Sequence, residues 1–411
     1  MRNGGLLASF IALVTAACGG GVTKSSSGNT EAAPGGDTSH PAERGSPIDA
    51  LKAACGDGGL AASGAGMARQ AYLQQVTDRS AMVGWVTTAA APQRVHFTTP
   101  DGKPVMDAGA SIDENAIRIG DERQVWSIAS DLEPSTVYCY GVDGSAPATA
   151  RAGFKTAPAT DSTETVRFLA FGDSGGGGAD QYALLDQMYT VPYELMIHTG
   201  DIAYDDGTIA EFENNVFGVY AELFRSIPFF PAPGNHEYNS TANAAPFRSV
   251  FSLPGNTGNT WYSYDWGQVH FASLDTEEDY PTQIEWLDRD LAATDKPWKI
   301  VYLHRPPYSS GEHGSDTGLR TKLAPVLEKH GVQLVLAGHD HHYERMIPQN
   351  GVNYIVTGGG GKGTRPVGSS SFTAYATATI HFVYGEVSAD QMVLHAIDAT
   401  GKEFDSLVIE R

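Results

Sequence analysis

From residue 172 onward, small groups of oxygen and nitrogen donors recur along the chain, most of them beside a glycine. They are Gly172-Asp173-Ser174-Gly175, Gly200-Asp201-Ile202-Ala203-Tyr204, Gly234-Asn235-His236-Glu237, His304-Arg305-Pro306-Pro307-Tyr308 and Gly338-His339-Asp340-His341-His342-Tyr343-Glu344-Arg345. Carboxylate and amide oxygens mixed with imidazoles suit Zn, Mn and Fe rather than thiolate-preferring metals. Asp173, Asp201, Tyr204, Asn235, His304, His339 and His341 are more donors than one ion accepts. Two ions sharing one bridging carboxylate would use them all. Such ions, about 3.5–4 Å apart, can clamp both oxygens of an in-line phosphoryl displacement. A lone Gly-Asp or Gly-Asn-His is more often a turn than a ligand. The reading rests on the whole ordered series.

These groups need a frame that brings them together. Each follows a short apolar run that reads as a buried strand: Val166–Phe171, Leu195–His198, Phe229–Pro231, Trp298–Leu303 and Val332–Ala337. A further strand is expected from Val352. Amphipathic helices are expected at Ala179–Tyr189, Ile209–Arg225, Gln283–Ala293 and Leu319–His330, and a β-hairpin at Tyr262–Asp275. The alternation predicts an α/β domain over 159–411 with mostly parallel pairing. In such sheets the loops beyond the strands' carboxyl ends lie side by side, so the donor groups would meet in one crevice.

The chain before this domain reads differently. Residues 65–158 hold short β-branched and aromatic runs separated by turn signals such as Pro100-Asp101-Gly102. Tyr138, Tyr140 and Val142 share one strand face and Cys139 the other. The Leu132-Glu133-Pro134-Ser135-Thr136 corner before Tyr138 resembles the tyrosine corner of a fibronectin type III-like sandwich. Residues 19–64 read as a Gly/Ser/Pro-rich linker and N-terminal extension, poor in large apolar groups. Residues 1–18 read as a secretory signal. Its Ala16-Ala17-Cys18 ending resembles a lipoprotein site, the alternative being an ordinary cleaved signal. Export leaves Cys55 and Cys139 as a disulfide or as two separate buried thiols.

Composition narrows the partners. The 411 residues carry 27 Lys+Arg against 48 Asp+Glu, a formal net charge of -21. That excess argues against a nucleic-acid partner or an anionic membrane surface. An acidic protein that binds phosphate esters needs concentrated local positive charge, and metal ions supply it. The substrate expected is a small phosphate ester, with membrane contact only through a lipid anchor at Cys18.

The donor series resembles the metallophosphoesterase signature, and Gly-Asp-x-x-Tyr at Gly200–Tyr204 makes it similar to the purple acid phosphatases. The resemblance implies a metallophosphoesterase-type sandwich of mixed sheets flanked by helices, preceded by the fibronectin-like domain. It implies a binuclear centre in which Asp173, Tyr204 and His341 hold Fe(3+). Asn235, His304 and His339 would hold a divalent Zn, Mn or Fe, and Asp201 would bridge. His236 would contact the phosphate. His313 stands where the plant relatives carry the first of two adjacent histidines; its neighbour here is Gly314. His313 is therefore either a substrate contact and general acid or a solvated loop residue. The activity implied is phosphate monoester hydrolysis by a metal-bound hydroxide. Its alternatives are a divalent-metal phosphodiesterase or nucleotidase, and a surface lipoprotein that binds a partner without catalysis. His198, His270, His330, His381 and His395 are expected to be structural. His342 should point away from the metal pair, Glu344 and Arg345 should lock their loop as an ion pair, and the run from Gly358 should be a tight turn near the site.

Overall fold

The computed structural model describes residues 40–56, 67–89, 93–143, 151–255, 258–278 and 280–411. The expected signal, Cys18 and the linker up to residue 39 lie outside them. The described part of the 19–64 segment is packed rather than extended. Its helix Asp49–Cys55 buries Leu51 and Cys55, and Ala42, Ile48 and Leu51 join an apolar cluster with Leu184, Tyr193 and Ile397. Cys55 is bonded to Cys139 across a sequence separation of 84, a constraint on the order of 2–4 kcal/mol. Gly153 makes the approach possible, because a Cβ there would stand 2.9 Å from the Leu51 carbonyl oxygen.

Residues 67–155 form seven antiparallel strands, in the order Met67–Gln74, Ala81–Thr87, Arg123–Ala129, Pro104–Ile112, Arg94–Thr98, Val137–Val142 and Ala152–Lys155. Alternation buries Tyr138, Tyr140 and Val142 with Trp85, Phe97 and Phe154, leaving Cys139 on the opposite face toward Cys55. The Glu133 N–H donates to the Tyr138 hydroxyl at 2.9 Å, closing the corner before that strand. This unit is fastened to the rest of the chain. Tyr72 and Tyr140 donate their hydroxyls to the carbonyls of Val250 and Arg225 at 2.6 and 2.8 Å. Buried Arg69 pairs with Glu213, and one apolar cluster runs from Trp85 through Phe168 to Phe271.

The remainder is a mixed α/β unit with two sheets. The first runs Phe229–Pro231, Leu195–His198, Val166–Phe171, His381–Val387, Gln391–Asp398, Glu403–Glu410. Its first three strands are parallel and the rest antiparallel. The second runs Tyr262–Trp266, Val269–Ser273, Trp298–Leu303, Leu334–Ala337, Asn353–Thr357, Tyr343–Met346, Thr373–Thr377, with parallel pairing only in its middle. The expectation of mostly parallel pairing is therefore corrected to a mixed arrangement. Short turns join His381–Val387, Gln391–Asp398 and Glu403–Glu410, and strands joined that tightly can only pair antiparallel. This unit's helices include Ala179–Met188, Ala245–Val250, Tyr280–Ala293, Thr317–Lys329 and a stretch from Ile209 to Phe224 that contains a π-helical segment, Phe212–Phe217.

Candidate metal centre

Three donor groups follow strands of the first sheet: Asp173 after Val166–Phe171, Asp201 after Leu195–His198, and Asn235 after Phe229–Pro231. Two follow strands of the second: His304 after Trp298–Leu303 and His339 after Leu334–Ala337. The site lies where the carboxyl ends of both parallel regions meet. Three of its residues take left-handed backbone conformations, Asp173 at φ 59°, Asp201 at φ 53° and His339 at φ 71°. Such conformations cost of order 1–3 kcal/mol and persist only where the surroundings impose them. Gly234 admits the crowding, since a Cβ there would sit 2.3 Å from Asp201 Oδ1.

The donors form two groups joined by one carboxylate. In the first, His304 Nε2 lies 3.3 Å from Asp201 Oδ2, 3.2 Å from Asn235 Oδ1 and 3.1 Å from His339 Nδ1. The other His304 nitrogen, Nδ1, donates to the Thr199 carbonyl at 2.9 Å. That bond fixes the tautomer and leaves Nε2 a lone pair, the usual arrangement of a metal-ligating histidine. Asp201, His304 and His339 place a donor atom each within 4.8 Å of one another. In the second group the Tyr204 hydroxyl is 3.1 Å from Asp173 Oδ1, 3.1 Å from Asp201 Oδ2 and 3.2 Å from His341 Nε2. All seven expected ligands thus converge, and Asp201 Oδ2 faces both groups.

The electrostatics fit a cation. Burial opposes charge on His304, yet the Asp201 and Asp173 carboxylates push it up to about 10. Burial, helped by His304 and Arg305, pushes His339 down to about 2. Burial would raise Asp201, but His304 and His236 hold it well below the usual carboxylate range. His304 Nε2 and His339 Nδ1 stand 3.1 Å apart, a spacing that a shared proton or a metal ion satisfies. Burial, then Asp173 and Asp201, raise the Tyr204 phenol well above its ordinary value, so only a strongly charged cation would displace its proton.

His236 lies beside this core, its ring centroid 4.2 Å from that of Tyr204 and its Nε2 3.8 Å from Asp201 Oδ2. His313 stacks on His339 with centroids 4.2 Å apart, so the loop histidine does face the site. Its Nε2 meets the Arg365 guanidinium. Burial lowers its pKa, with Arg365 adding to the effect against the opposing pull of Asp340.

Residues 339–344 alternate in direction. His339 and His341 face the donors, while Asp340, His342 and Glu344 face the 309–314 loop, so His342 points away as expected. Asp340 accepts from the Ser309 hydroxyl and from the His313 and Gly314 N–H groups, the latter two at 2.9 and 3.2 Å. Glu344 accepts from Ser310 N–H at 2.6 Å and Thr373 Oγ1 at 2.6 Å. The expected Glu344–Arg345 ion pair is corrected. Arg345 reaches away to Asp405 at 2.6 Å, because neighbours on a strand point to opposite faces.

Two supports escaped the sequence reading. Buried Glu237 accepts from Gly234, Ile202 and Ala203 N–H groups at 2.7, 2.9 and 3.1 Å, tying the Asn235 loop to the Asp201 loop. Burial, then Asp201, push it up to about 8. Its position three residues after Gly234, typical of a carboxylate that turns back on its own loop, was the available signal. The loop from Gly358 is more than a turn. The N–H groups of Gly360, Lys362 and Arg365 donate to the carbonyls of Gly172, Asp173 and His341 at 2.8, 3.0 and 2.9 Å.

Residues 166–343 match the family described as calcineurin-like phosphoesterase. The chain carries a metallophosphoesterase domain of that class. Its homologues within the class are purple acid phosphatases, which hydrolyse phosphate esters. Acid phosphatase type 7 of Danio rerio is 29% identical over 311 residues, 66% of this chain and 69% of that protein. Purple acid phosphatase 18 of Arabidopsis thaliana is 29% identical over 319 residues, 71% of each. Among solved structures, the purple acid phosphatase PPD1 from yellow lupin seeds superposes with a TM-score of 0.74 at 21% identity, covering 83% of this chain and 74% of that one. At that identity the likeness speaks for the fold.

Proposed function

We propose that this protein is an exported acid phosphatase that hydrolyses phosphate monoesters at a binuclear Fe(3+)–M(2+) centre, M being Zn, Mn or Fe. The observation that carries the reading is the convergence of seven buried or half-buried donors into two groups sharing Asp201. Asp173, Tyr204 and His341 would hold the ferric ion, Asn235, His304 and His339 the divalent one, and Asp201 both. When bound, two such ions supply the charge that draws a phosphoryl oxygen and lowers the pKa of water at the site. The protein's own groups do the rest. Thr199 holds the His304 ring in register through Nδ1, and Glu237 fixes the Asn235 and Asp201 loops against each other. His236, its ring tilted 49° to that of Tyr204, turns Nε2 toward Asp201, where it would contact a phosphoryl oxygen. His313 contacts the substrate from the other side. Its Nε2 accepts from Arg365 and so has no proton there to give, which favours contact over general acid catalysis.

The ferric assignment rests on Tyr204, whose buried phenol beside two carboxylates loses its proton only to a strongly charged ion. Export is supported by the Cys55–Cys139 disulfide, since such bonds persist in oxidising compartments; lipid anchoring at Cys18 rests on the sequence pattern alone. The contact between Glu133 N–H and the Tyr138 hydroxyl supports the fibronectin-like reading of residues 65–158.

The test joins elemental analysis of aerobically purified protein with a visible spectrum and a panel of monoesters, diesters and nucleotides. Two metals per chain including iron, a violet colour that Tyr204→Phe abolishes, and monoester turnover are expected. A colourless, iron-free protein active with divalent ions would replace the ferric reading with a divalent phosphodiesterase or nucleotidase. Two bound metals without turnover of any ester would leave a binding protein.

A further inference from the structure

In a chain of formal net charge -21, the mouth of the donor cluster is edged by cations. Arg305 is held bidentate by Glu277 at 2.6 and 2.9 Å. Lys362 donates to Asp205 Oδ1 at 2.6 Å and lies 4.6 Å from the Tyr204 ring centroid. Each of these charges is already matched. Arg365 is different: it is half-buried and has no carboxylate partner among the described residues. Its guanidinium meets only the His313 ring, which itself lies against His339.

The position of Arg365 is built rather than incidental. Its own N–H donates to the carbonyl of His341 at 2.9 Å, so its backbone is fastened to a proposed ligand. Three residues earlier Lys362 N–H is fastened in the same way to Asp173 at 3.0 Å. The ring that receives the guanidinium is placed by Asp340, through the His313 N–H at 2.9 Å and the Gly314 N–H at 3.2 Å. Two separate loops are therefore braced so that one uncompensated guanidinium stands beside the stacked His313–His339 pair. A guanidinium is charged at every working pH and presents two parallel donors matched to a pair of phosphate oxygens.

We propose that Arg365 is a substrate-binding residue that takes terminal phosphoryl oxygens, including the third that only a monoester carries, and that it sets a preference for phosphate monoesters over diesters. The inference rests on the phosphatase reading above and deepens it. A monoester offers one more terminal oxygen and one more negative charge than a diester. An unpaired, planar cation at the mouth rewards both. A diester replaces that oxygen with a second ester group, which the guanidinium cannot grip.

The experiment compares full-length wild type, Arg365→Ala, Arg365→Gln and Arg365→Lys on 4-nitrophenyl phosphate and bis(4-nitrophenyl) phosphate, which share a leaving group. Metal content and melting temperature are recorded for each, and inorganic phosphate binding is measured by calorimetry. Loss of a charge-assisted, bidentate contact should lower monoester kcat/KM and phosphate affinity by about 10- to 100-fold. Diester kcat/KM should change by less than about 3-fold, metal content should stay constant, and Lys should restore only part of the loss because it binds as a point charge. Equal losses on both esters, or phosphate affinity untouched in every variant, would overturn the inference. If wild type turns over neither ester, the phosphatase reading falls by itself, and phosphate affinity still decides whether Arg365 binds the anion. If Arg365→Ala is misfolded, the Gln variant, which keeps the stem and the backbone contact to His341, carries the test.

Discussion

Among the described residues, two clusters set a buried histidine against aspartate, and only one of them has the makings of a metal site. In the first, His304 Nε2 faces His339 Nδ1 at 3.1 Å and Asp201 Oδ2 at 3.3 Å. In the second, His270 lies between Asp265 and Asp290, with Nδ1–Oδ1 and Nε2–Oδ2 distances of 2.7 and 2.8 Å. Residue types are the same; the direction of the lone pairs differs. The two carboxylates on His270 sit at opposite ring nitrogens, so no single ion could use all three groups. A proton satisfies them instead: burial opposes it, but the two carboxylates raise His270 to about 9. At His304 a second imidazole nitrogen points at the first, and a proton on one leaves the other facing it. Neither Asp265 nor His270 takes a left-handed backbone, whereas Asp173, Asp201 and His339 all do. A closed ion pair needs no strain; converging donors do.

Asp201→Ala against Asp290→Asn should separate the clusters most sharply. Asp201→Ala removes the proposed shared ligand, so both metals and nearly all turnover should go. Asp290→Asn should keep two metals and activity within about twofold, as expected of a change away from the site. Metals retained in the first variant, or lost in the second, would erase the distinction.

Chelation comes next in size. An ion bound only by the folded state at about a thousand times its Kd stabilises by about 4 kcal/mol. Exhaustive chelation should therefore lower the melting temperature of wild type by several degrees, and that of His270→Asn by the same interval. If the His270 variant loses its response to chelator, the second cluster is coupled to the metal after all.

The smallest effect is a pH dependence confined to the second cluster. His270 faces Asp265 and Asp290, with Lys296 Nζ 3.8 Å from Asp265 Oδ2 and itself held by the Thr160 and Gly267 carbonyls. Its folded pKa is raised from 6.5 to about 9. Its stabilisation is therefore fully present below about pH 6.5 and lost as pH rises through about 9, on the order of 3 kcal/mol in all. Denaturant titrations of wild type at pH 6 and pH 9.5 should show that fall, and His270→Asn should flatten it. An unchanged slope in the variant would assign the pH dependence elsewhere.

The donors themselves were legible in the chain. Their types, their glycine neighbours and the apolar runs before them mark a metal site, because a strand needs a continuous apolar run and its end needs a turn. The alternation that sends His339 and His341 one way and His342 the other also follows from local geometry. What the order of residues could not state is that each donor group draws on two different sheets. Asp173, Asp201 and Asn235 follow one, His304 and His339 the other, and the antiparallel strands from Thr373 onward carry no donor that would have announced them. A local pattern set His304, just past a strand end, apart from His270, inside a strand. That a second imidazole nitrogen meets His304 Nε2 depends on His339, 35 residues away. The same holds for Arg365, an unremarkable basic residue in a glycine-rich loop. It becomes notable only because that loop hydrogen-bonds along Gly172, Asp173 and His341. Local periodicity is set by backbone geometry within a few residues, so sequence reveals it; lone-pair direction and uncompensated charge depend on distant neighbours, and only folding brings those together.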